Sequence, residues 1–249
     1  MSAKRDKIIG YLNKYLKVDD FQDYCFDGLQ IEGKENISKI ITGVSLSQRF
    51  IKEAIKKKAD MVVVYHGIFL NDIPSPFCLN GLMKERIKMI LCNDINLAGY
   101  HLPLDAHPVI GNNISLAKLL GVKKCEPVSV GFVGELDKEI DFDEFVDLVD
   151  KELKVKSFVL PYGKKKFKKV GIISGGSFPH FKEIQNAGAD VFIGGDIREE
   201  VVRAIEETGI NFINAGHYNT EKLGVQNLGK LMEKKFKIKT EFVDVPCEV

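Results

Sequence analysis

Two histidines in this chain are each followed, four residues later, by a carboxylate, and each stands just after an apolar segment. The two motifs read Tyr100-His101-Leu-Pro-Leu-Asp105 and Gly216-His217-Tyr-Asn-Thr-Glu221. Imidazole nitrogens and carboxylate oxygens together bind Zn²⁺, Mn²⁺ and Fe²⁺ in proteins. The residue types therefore indicate a metal site, and the recurrence of the motif indicates a duplicated fold with one shared site.

Three further polar residues follow other apolar segments. His66 follows the run Met61-Val-Val-Val-Tyr65, whereas Asp196 and Arg198 follow the run Val191-Phe-Ile-Gly194. Ligands of open parallel sheets bind beyond the carboxyl ends of the strands, where the loops diverge. These residues are candidates for the same site, and Arg198 is placed to meet a phosphate or a carboxylate of a substrate.

Each candidate also has a purely structural explanation when it is taken alone. A histidine beside a turn is often only a hydrogen-bonded structural residue, and Asp105 or Glu221 can cap a helix. Arg198 can pair with a nearby acid instead of a substrate. As a set, however, the residues favour metal binding, because divalent cations of this class need neutral imidazole together with charged oxygen.

The elements that must hold these residues recur in the same order. Each copy predicts a parallel βαβ unit, because a strand, a helix and a second strand follow one another. The first copy covers 39–45, 47–58 and 60–65, and the second covers 169–174, 179–187 and 190–194. Two dipeptides recur with them, Ala59-Asp60 as Ala189-Asp190 and Ile95-Asn96 as Ile210-Asn211. The predicted fold class is therefore α/β with an internal duplication.

The remaining segments predict further helices and strands, with no long linker and no low-complexity stretch. Helical spacing of apolar residues predicts helices over 4–16, 141–153 and 221–235. Strand patterns cover 128–133, 157–160 and 239–245.

The composition is that of an ordinary globular protein, with 45% hydrophobic and 29% charged residues. The 36 basic and 35 acidic residues give a net charge of +1, which provides no global field to attract nucleic acid or an anionic membrane. The apolar runs are too short to span a bilayer and the N-terminal segment lacks a signal-peptide core, so cytoplasm is the expected location. The five cysteines form no Cys-x-x-Cys pair, which favours free thiols.

The strongest local charge is the run Lys164-Lys-Lys-Phe-Lys-Lys169, which follows Pro161-Tyr-Gly163. A solvated hairpin that leads into a strand is the simpler interpretation of this run. Contact with nucleic acid is the alternative, and such binding would depend on salt because phosphate contacts release counterions.

Four short motifs stand in a fixed order along nearly the whole chain. They are Asp27-Gly-Leu-Gln30, Tyr65-His-Gly67, His101-x-x-Leu-Asp-Ala106 and Gly216-His-Tyr-Asn-Thr-Glu221. In this combination the chain resembles the GTP cyclohydrolase 1 type 2 homologue family, also called NGG-interacting-factor-three-like proteins. The resemblance implies two intertwined α/β domains of similar topology, a dinuclear metal site between them, and assembly into ring-shaped homohexamers. Together with the repeat, it predicts a first domain over 1–126 and 214–249 and an inserted second domain over 127–213.

The resemblance also implies roles for individual residues. The family's metal ligands fall on His66, Asp105, His217 and Glu221, with Glu221 expected to bridge two ions. His101 matches a nearby histidine of the family's site. One expected role for His101 is a catalytic proton shuttle, because an imidazole pKa of about 6.5 allows proton exchange near neutral pH. The alternative role is to orient a metal ligand.

The chain departs from the family at one position of the site. Members usually carry two consecutive histidines after the valine-rich strand, whereas the first of these positions is Tyr65 here. A neutral phenol with a pKa of about 10 is a weaker ligand than imidazole near neutral pH. The sequence therefore predicts one firmly bound Zn²⁺, Mn²⁺ or Fe²⁺ ion per subunit, and a second that is weak, absent or held by Tyr65 and water.

These observations predict a divalent-metal-binding protein with hydrolase-type chemistry, and the family name suggests a nucleotide-like substrate. Two ions roughly 3.5–4 Å apart can polarise a substrate oxygen and acidify a bound water. Two alternatives stay open. One is a ring-shaped oligomer that binds nucleic acid or a protein partner without catalysis, and the other is a metal-handling or regulatory protein whose ion offers no open coordination position.

Overall fold

The computed structural model describes residues 2–71 and 77–247. The strands are β1 (Ala3–Lys4), β2 (Gly28–Ile31), β3 (Asn36–Ile37), β4 (Lys39–Ser45), β5 (Met61–His66), β6 (Asn96–Gly99), β7 (Lys123–Val128), β8 (Gly131–Asp141), β9 (Phe158–Pro161), β10 (Lys166–Ile172), β11 (Val191–Gly194), β12 (Asn211–Asn214) and β13 (Lys239–Phe242). The helices are α1 (Arg5–Leu16), α2 (Gln48–Lys56), α3 (Gly81–Cys92), α4 (Leu102–Asp105), α5 (Asn112–Leu119), α6 (Phe142–Leu153), α7 (Phe181–Asn186), α8 (Glu199–Thr208) and α9 (His217–Phe236). Within these described ranges, no helix combines the length and the apolar character needed to cross a bilayer.

The chain forms two compact units. The first consists of Met1–Leu104 and Gly224–Val245, and the second of Asp105–Leu223 and Pro246–Val249. The segment 105–126, which the sequence places in the first domain, packs within the second unit. The reason is that Leu116 of α5 lies in the same apolar core as Phe132 and Val170. The predicted domain boundaries stay a prediction.

The first unit is built on a sheet with the strand order β13-β4-β5-β6-β2. Strands β13, β4, β5 and β6 run parallel, and β2 pairs antiparallel with β6. The predicted βαβ unit over 39–65 is confirmed. Helix α2 begins after Ser47, whose hydroxyl accepts a hydrogen bond from the amide of Phe50 at 3.2 Å, and it buries Phe50 and Ile51 in the core of the unit. The parallel strands β4 and β5 thus end side by side at Ser45 and His66.

The second unit is built on a sheet with the strand order β7-β8-β10-β11-β12-β9. Strands β10, β11 and β12 run parallel, which confirms the second βαβ unit and the α/β class. The single strand predicted over 128–133 was wrong, because the chain reverses at Ser129, with a φ of 53°, between β7 and β8. The hairpin predicted for the lysine run was also wrong: β9 pairs with β12, whereas β10 pairs with β8 and β11.

Both units carry the same hydrogen-bond arrangement at the amino ends of their parallel strands. Asp60 and Asp190 each accept hydrogen bonds from one lysine ammonium and two backbone amides. The donors to Asp60 are Lys34 Nζ (2.8 Å) and the amides of Ser38 (2.9 Å) and Lys39 (3.1 Å). The donors to Asp190 are Lys164 Nζ (2.7 Å) and the amides of Lys168 (3.4 Å) and Lys169 (3.1 Å). We call this arrangement the aspartate clamp; the internal duplication that it agrees with stays a prediction.

Replacing Asp60 by Asn should lower the free energy of unfolding at neutral pH by about 1–3 kcal/mol, because hydrogen bonds to a charged group are lost. Burial alone would raise the pKa of Asp60, but the bonds from Lys34 and from the amides outweigh burial and hold the pKa below its usual range. The stabilisation is therefore present above the unfolded-state pKa of about 3.9 and is lost as the pH falls through the folded-state pKa. Urea titrations over a pH series measure this change.

The matched control for this substitution is Glu35→Gln in the same unit. Glu35 pairs with Lys4 at 2.7 Å, but both side chains are exposed, so the loss should stay below about 1 kcal/mol. A stability difference between Asp60→Asn and wild type that did not shrink in acid would contradict the assignment to the ionised carboxylate.

Candidate metal centre

His217 and Glu221 lie one turn apart on α9. The helix begins at His217, four residues before the start at 221 that the sequence predicted, and the spacing i, i+4 places both side chains on one face. His217 Nε2 lies 3.1 Å from Glu221 Oε1, and Glu221 is only 2% exposed. Because Glu221 stands inside the helix rather than before it, capping does not account for this residue.

Asp196, just after β11, contacts the other nitrogen of the same imidazole. His217 Nδ1 lies 3.2 Å from Asp196 Oδ2. The hydrogen bonds to Asp196 and Glu221, opposed by burial, raise the pKa of His217 to about 10. The other carboxylate oxygen of Asp196, Oδ1, is buried and meets no hydrogen-bond donor among the residues that the structure describes. The sequence located Asp196 after a strand but gave it no role in holding His217.

Asp105 is held in the second unit by two side chains that the sequence analysis missed. Asn112 Nδ2 donates to Asp105 Oδ1 at 2.8 Å, and Ser174 Oγ donates to the same oxygen at 3.0 Å. All three residues are buried. Their separation in the chain is the reason that spacing could not reveal them, since Ser174 follows Asp105 by 69 residues.

Gly175 brings the main chain against the side chains of α9. Its φ is +60°, and a Cβ there would lie 1.9 Å from Glu221 Oε1 and 3.2 Å from His217 Nε2. Its amide donates to Thr220 Oγ1 at 2.9 Å. Ser174 and Gly175 are consecutive, so one short loop contacts Asp105 on one side and α9 on the other.

This set of donors fits a divalent cation. Asp105, Asp196 and Glu221 offer carboxylate oxygens and His217 offers an imidazole nitrogen, which are the ligand types that zinc, manganese and iron take in proteins. The buried Oδ1 of Asp196, which meets no donor in the described part of the chain, is a lone-pair acceptor that a cation can satisfy. The same residues therefore suit a positive charge better than an apolar or anionic group.

Tyr65, His66 and His101 form a cluster of rings in the first unit. Their centroids lie 4.7 Å apart for Tyr65 and His66, 4.8 Å for Tyr65 and His101, and 5.5 Å for the two histidines. His66 Nδ1 lies 3.0 Å from Ser45 Oγ, which fixes the orientation of that imidazole. Tyr65 is 1% exposed, so its phenol is buried in the protein interior.

His101 is a buried ion-pair partner in the structure. Its Nδ1 lies 2.8 Å from Asp23 Oδ2, and its amide donates to Asp27 Oδ1 at 2.7 Å. Burial alone would lower the pKa of His101, but the hydrogen bonds with Asp23 and Cys25 outweigh burial and raise the pKa to about 10. The shuttle role stays a prediction, but the pKa near neutrality on which it depended is not found.

Arg198 lies in the second unit, at the start of α8. It is exposed, and its guanidinium carbon stands 4.2 Å above the ring of Phe178. Among the described residues, Arg198 thus shows a cation–π contact and not the predicted alternative of an ion pair with an acid. A substrate-binding role for Arg198 stays a prediction.

A cavity of about 590 Å³ adjoins Asp196 in the second unit. Its lining combines cationic, amide and aromatic side chains with backbone, and includes Lys154, Lys156, Phe158, Asn214 and Asn219. Both lysines are exposed. The charge of these lysines is ordinary for a helix end and the loop that follows it, so the sequence pattern did not distinguish them.

The lysine run is partly neutralised by acids of the same unit. Lys164 pairs with Asp190 at 2.7 Å, Lys165 with Asp141 at 3.8 Å, and Lys168 with Glu135 at 3.5 Å. Cations that are paired in this way offer less charge to a phosphate backbone. The nucleic-acid interpretation of the run gains no support from this geometry.

The parallel strands make this an α/β protein. The carboxylates and imidazoles beyond their carboxyl ends form a candidate metal-binding site. The chain belongs to the Duf34/NIF3 (NGG1p interacting factor 3) family, whose model matches residues 3–247. This finding confirms the family that the four motifs predicted.

Relatives and solved structures agree with this membership. A protein of Haemophilus influenzae named "GTP cyclohydrolase 1 type 2 homolog" is 40% identical over 240 residues, which cover 94% of this chain and 95% of that protein. One of the same name from Pyrococcus horikoshii is 37% identical over 251 residues, covering 97% and 98%. A solved structure of protein ybgI, described as of unknown function, matches with a TM-score of 0.94 at 33% identity over 99% of this chain and 100% of that one. Protein TTHA1606 of Thermus thermophilus matches with a TM-score of 0.92 at 32% identity over 99% and 100%.

Proposed function

We propose that this protein binds a divalent metal ion through Asp105, His217 and Glu221 and hydrolyses a small anionic substrate. The observation that carries the proposal is the pairing of Glu221, 2% exposed, with His217 at the start of α9. A carboxylate so far removed from water needs a compensating positive charge. The protonated imidazole of His217 supplies that charge without metal, and a divalent cation supplies it when the imidazole is neutral and acts as a ligand. Zn²⁺, Mn²⁺ or Fe²⁺, when bound there, supplies Lewis acidity that polarises a substrate oxygen and acidifies water.

The residues around these ligands have positioning roles. Asp196 holds Nδ1 of His217 and so directs Nε2 toward Glu221. Ser174 and Asn112 fix one oxygen of Asp105. Outer partners of this kind set the orientation of a ligand, and their loss costs roughly 10- to 100-fold in metal affinity.

Family resemblance supports an extension of the proposal to the first unit. His66, oriented by Ser45, is proposed as a further ligand of the centre. Tyr65 occupies the position where the family usually has another histidine, so a second ion bound by the family's pattern is expected to be weaker here. The number of ions per subunit in wild type and in a Tyr65→His variant, determined by elemental analysis, measures this difference.

The proposed substrate site is the cavity beside Asp196. Lys154 and Lys156 offer positive charge to an anionic group, and Phe158 offers a ring face for stacking. A nucleotide has both features, and the relatives' name, GTP cyclohydrolase 1 type 2 homolog, agrees with this class of substrate.

The double substitution of Lys154 and Lys156 by Ala should weaken GTP binding by about tenfold or more, because a hydrogen bond to a charged group contributes roughly 1.5–3 kcal/mol. Metal content should not change, because neither lysine is among the proposed ligands. Isothermal titration calorimetry measures the affinity. Lys165 and Lys168, replaced together, are the control in the same unit, and an equal loss in both double variants would count against the cavity.

The proposed function is tested with metal analysis and turnover together. Wild type and His217→Ala are purified without chelators, their metal content is measured, and hydrolysis of GTP and of simple phosphoesters is assayed with added Mn²⁺, Zn²⁺ or Fe²⁺. We expect turnover in wild type, and in His217→Ala a loss of turnover together with a lower metal content per subunit. Metal without turnover in wild type would favour a metal-handling protein over a hydrolase. Equal metal content in both proteins would refute the proposed centre.

A further inference from the structure

The first unit holds a second cluster of metal-ligand side chains, distinct from the ligands proposed above. A carboxylate oxygen of Asp23, the sulfur of Cys25 and a ring nitrogen of His101 all lie within 4.8 Å of one another. The side chain of Asp23 is 2% exposed, and Cys25 and His101 are 8% and 6% exposed. Three polar side chains buried together are an arrangement that needs a reason, because each loses its contact with water.

The loop that carries Asp23 and Cys25 is fastened at several points. The backbone of Cys25 forms an isolated antiparallel β-bridge with that of Leu70. Asn71 Nδ2 donates to the carbonyls of Asp23 at 2.6 Å and Cys25 at 3.1 Å. The amide of Cys25 donates to Asp23 Oδ1 at 3.0 Å. The thiol and the carboxylate are therefore held in place before any ligand arrives, which lowers the entropic cost of binding.

The imidazole is fastened to the same loop. Asp23 Oδ2 lies 2.8 Å from His101 Nδ1 and accepts a hydrogen bond from the amide of Leu102 at 2.8 Å. Tyr24 lies edge-on to the ring of His101, with 5.1 Å between centroids, and is 62% exposed. The cluster thus lies against one exposed aromatic side chain.

We propose that Asp23, Cys25 and His101 bind one thiophilic divalent cation of the zinc class. Sulfur, imidazole nitrogen and carboxylate oxygen are the ligands that Zn²⁺ takes, and three protein ligands leave one position for water or a substrate atom. Asp23 and His101 also hydrogen-bond to each other, so ligation by the sulfur of Cys25 is what distinguishes a bound ion from a hydrogen-bonded cluster. The cluster lies next to Tyr65, whose ring centroid stands 4.8 Å from that of His101.

The test uses Co²⁺ as a spectroscopic substitute for zinc. A cysteine sulfur bound to Co²⁺ gives a charge-transfer band in the near ultraviolet, whereas nitrogen and oxygen ligands do not. We expect wild-type protein saturated with Co²⁺ to show this band, Cys25→Ser to lose it, and Cys125→Ser to keep it. Absence of the band in wild type, or its persistence in Cys25→Ser, would overturn the proposal.

A second variant keeps the test decisive if Cys25→Ser does not fold. In it Cys78, Cys92, Cys125 and Cys247 are all replaced by Ser, so that Cys25 is the one remaining thiol. Retention of the band supports the site, and loss of the band from a folded protein overturns it.

The outcome is separable from that of the proposed function. The cluster shares no ligand with Asp105, His217 and Glu221, so Glu221→Gln should keep the cobalt band while losing metal at the other centre. Disappearance of the band in Glu221→Gln would contradict an independent site.

Discussion

Replacing Glu221 by Gln should lower the affinity for the divalent ion at the second-unit centre by more than the roughly 10- to 100-fold that loss of an outer-shell partner costs. Gln keeps the shape of the side chain but removes the charge that offsets a cation. In wild type, free metal at 100 times its dissociation constant should add about 2.7 kcal/mol to the free energy of unfolding. The variant should gain almost none of this at the same concentration, and thermal unfolding with and without metal measures the difference.

Glu233→Gln is the matched control, because the same change is made on the same helix at an exposed position. Its metal-dependent gain should equal that of wild type. The metal-free Glu221→Gln protein should remain folded, since glutamine keeps the shape of the side chain and its amide oxygen can still accept a hydrogen bond from His217 Nε2. A full metal-dependent gain in Glu221→Gln would remove Glu221 from the centre.

Gly175→Ala should disrupt the same centre without touching a ligand. The added Cβ would lie 1.9 Å from Glu221 Oε1, a distance that forces the carboxylate or the loop to move. We expect the metal affinity to fall on the order of 10- to 100-fold, as for other changes that misplace a ligand. Calorimetric titration with Mn²⁺ and Zn²⁺ measures the loss.

The control for Gly175→Ala separates the clash from the backbone strain. Gly121 also has a positive φ, +73°, but a Cβ there would meet no heavy atom within 4 Å. Both variants should lose about 1–2 kcal/mol of stability, because alanine resists the left-handed conformation. Only Gly175→Ala should also lose metal affinity; an equal loss in both would trace the effect to stability alone.

The sequence predicted those parts of the fold that depend on short-range patterns. The runs that became β5 and β11 are apolar throughout, as buried parallel strands require, and the helical repeat before each of them was plain. The start of α9 was misplaced because Gly216-His-Tyr-Asn-Thr has no apolar stripe of its own. That error hid the reason for the spacing of His217 and Glu221, which are neighbours on a helix face.

The parts of the site that could not be predicted depend on contacts across long stretches of chain. Asp23 reaches His101 over 78 residues, and Ser174 reaches Asp105 over 69. No periodicity connects such pairs, because only the tertiary fold brings them together. Cys25 could not be predicted for a different reason. In a sequence, a single ligand cysteine outside a Cys-x-x-Cys pair looks the same as a buried structural cysteine.

The aspartate clamp has a consequence for which residues of this protein can be substituted without loss of the fold. Asp60 and Asp190 hold the amino ends of their strands. The candidate metal-ligand side chains stand at the opposite, carboxyl ends. Five residues after Met61 the chain presents His66, and five residues after Val191 it presents Asp196. The first unit thus carries an imidazole at this position and the second carries a carboxylate, while the clamp that stabilises each strand lies at its other end. Protein engineers can treat the carboxyl ends as exchangeable positions for new ligands and leave the clamp untouched.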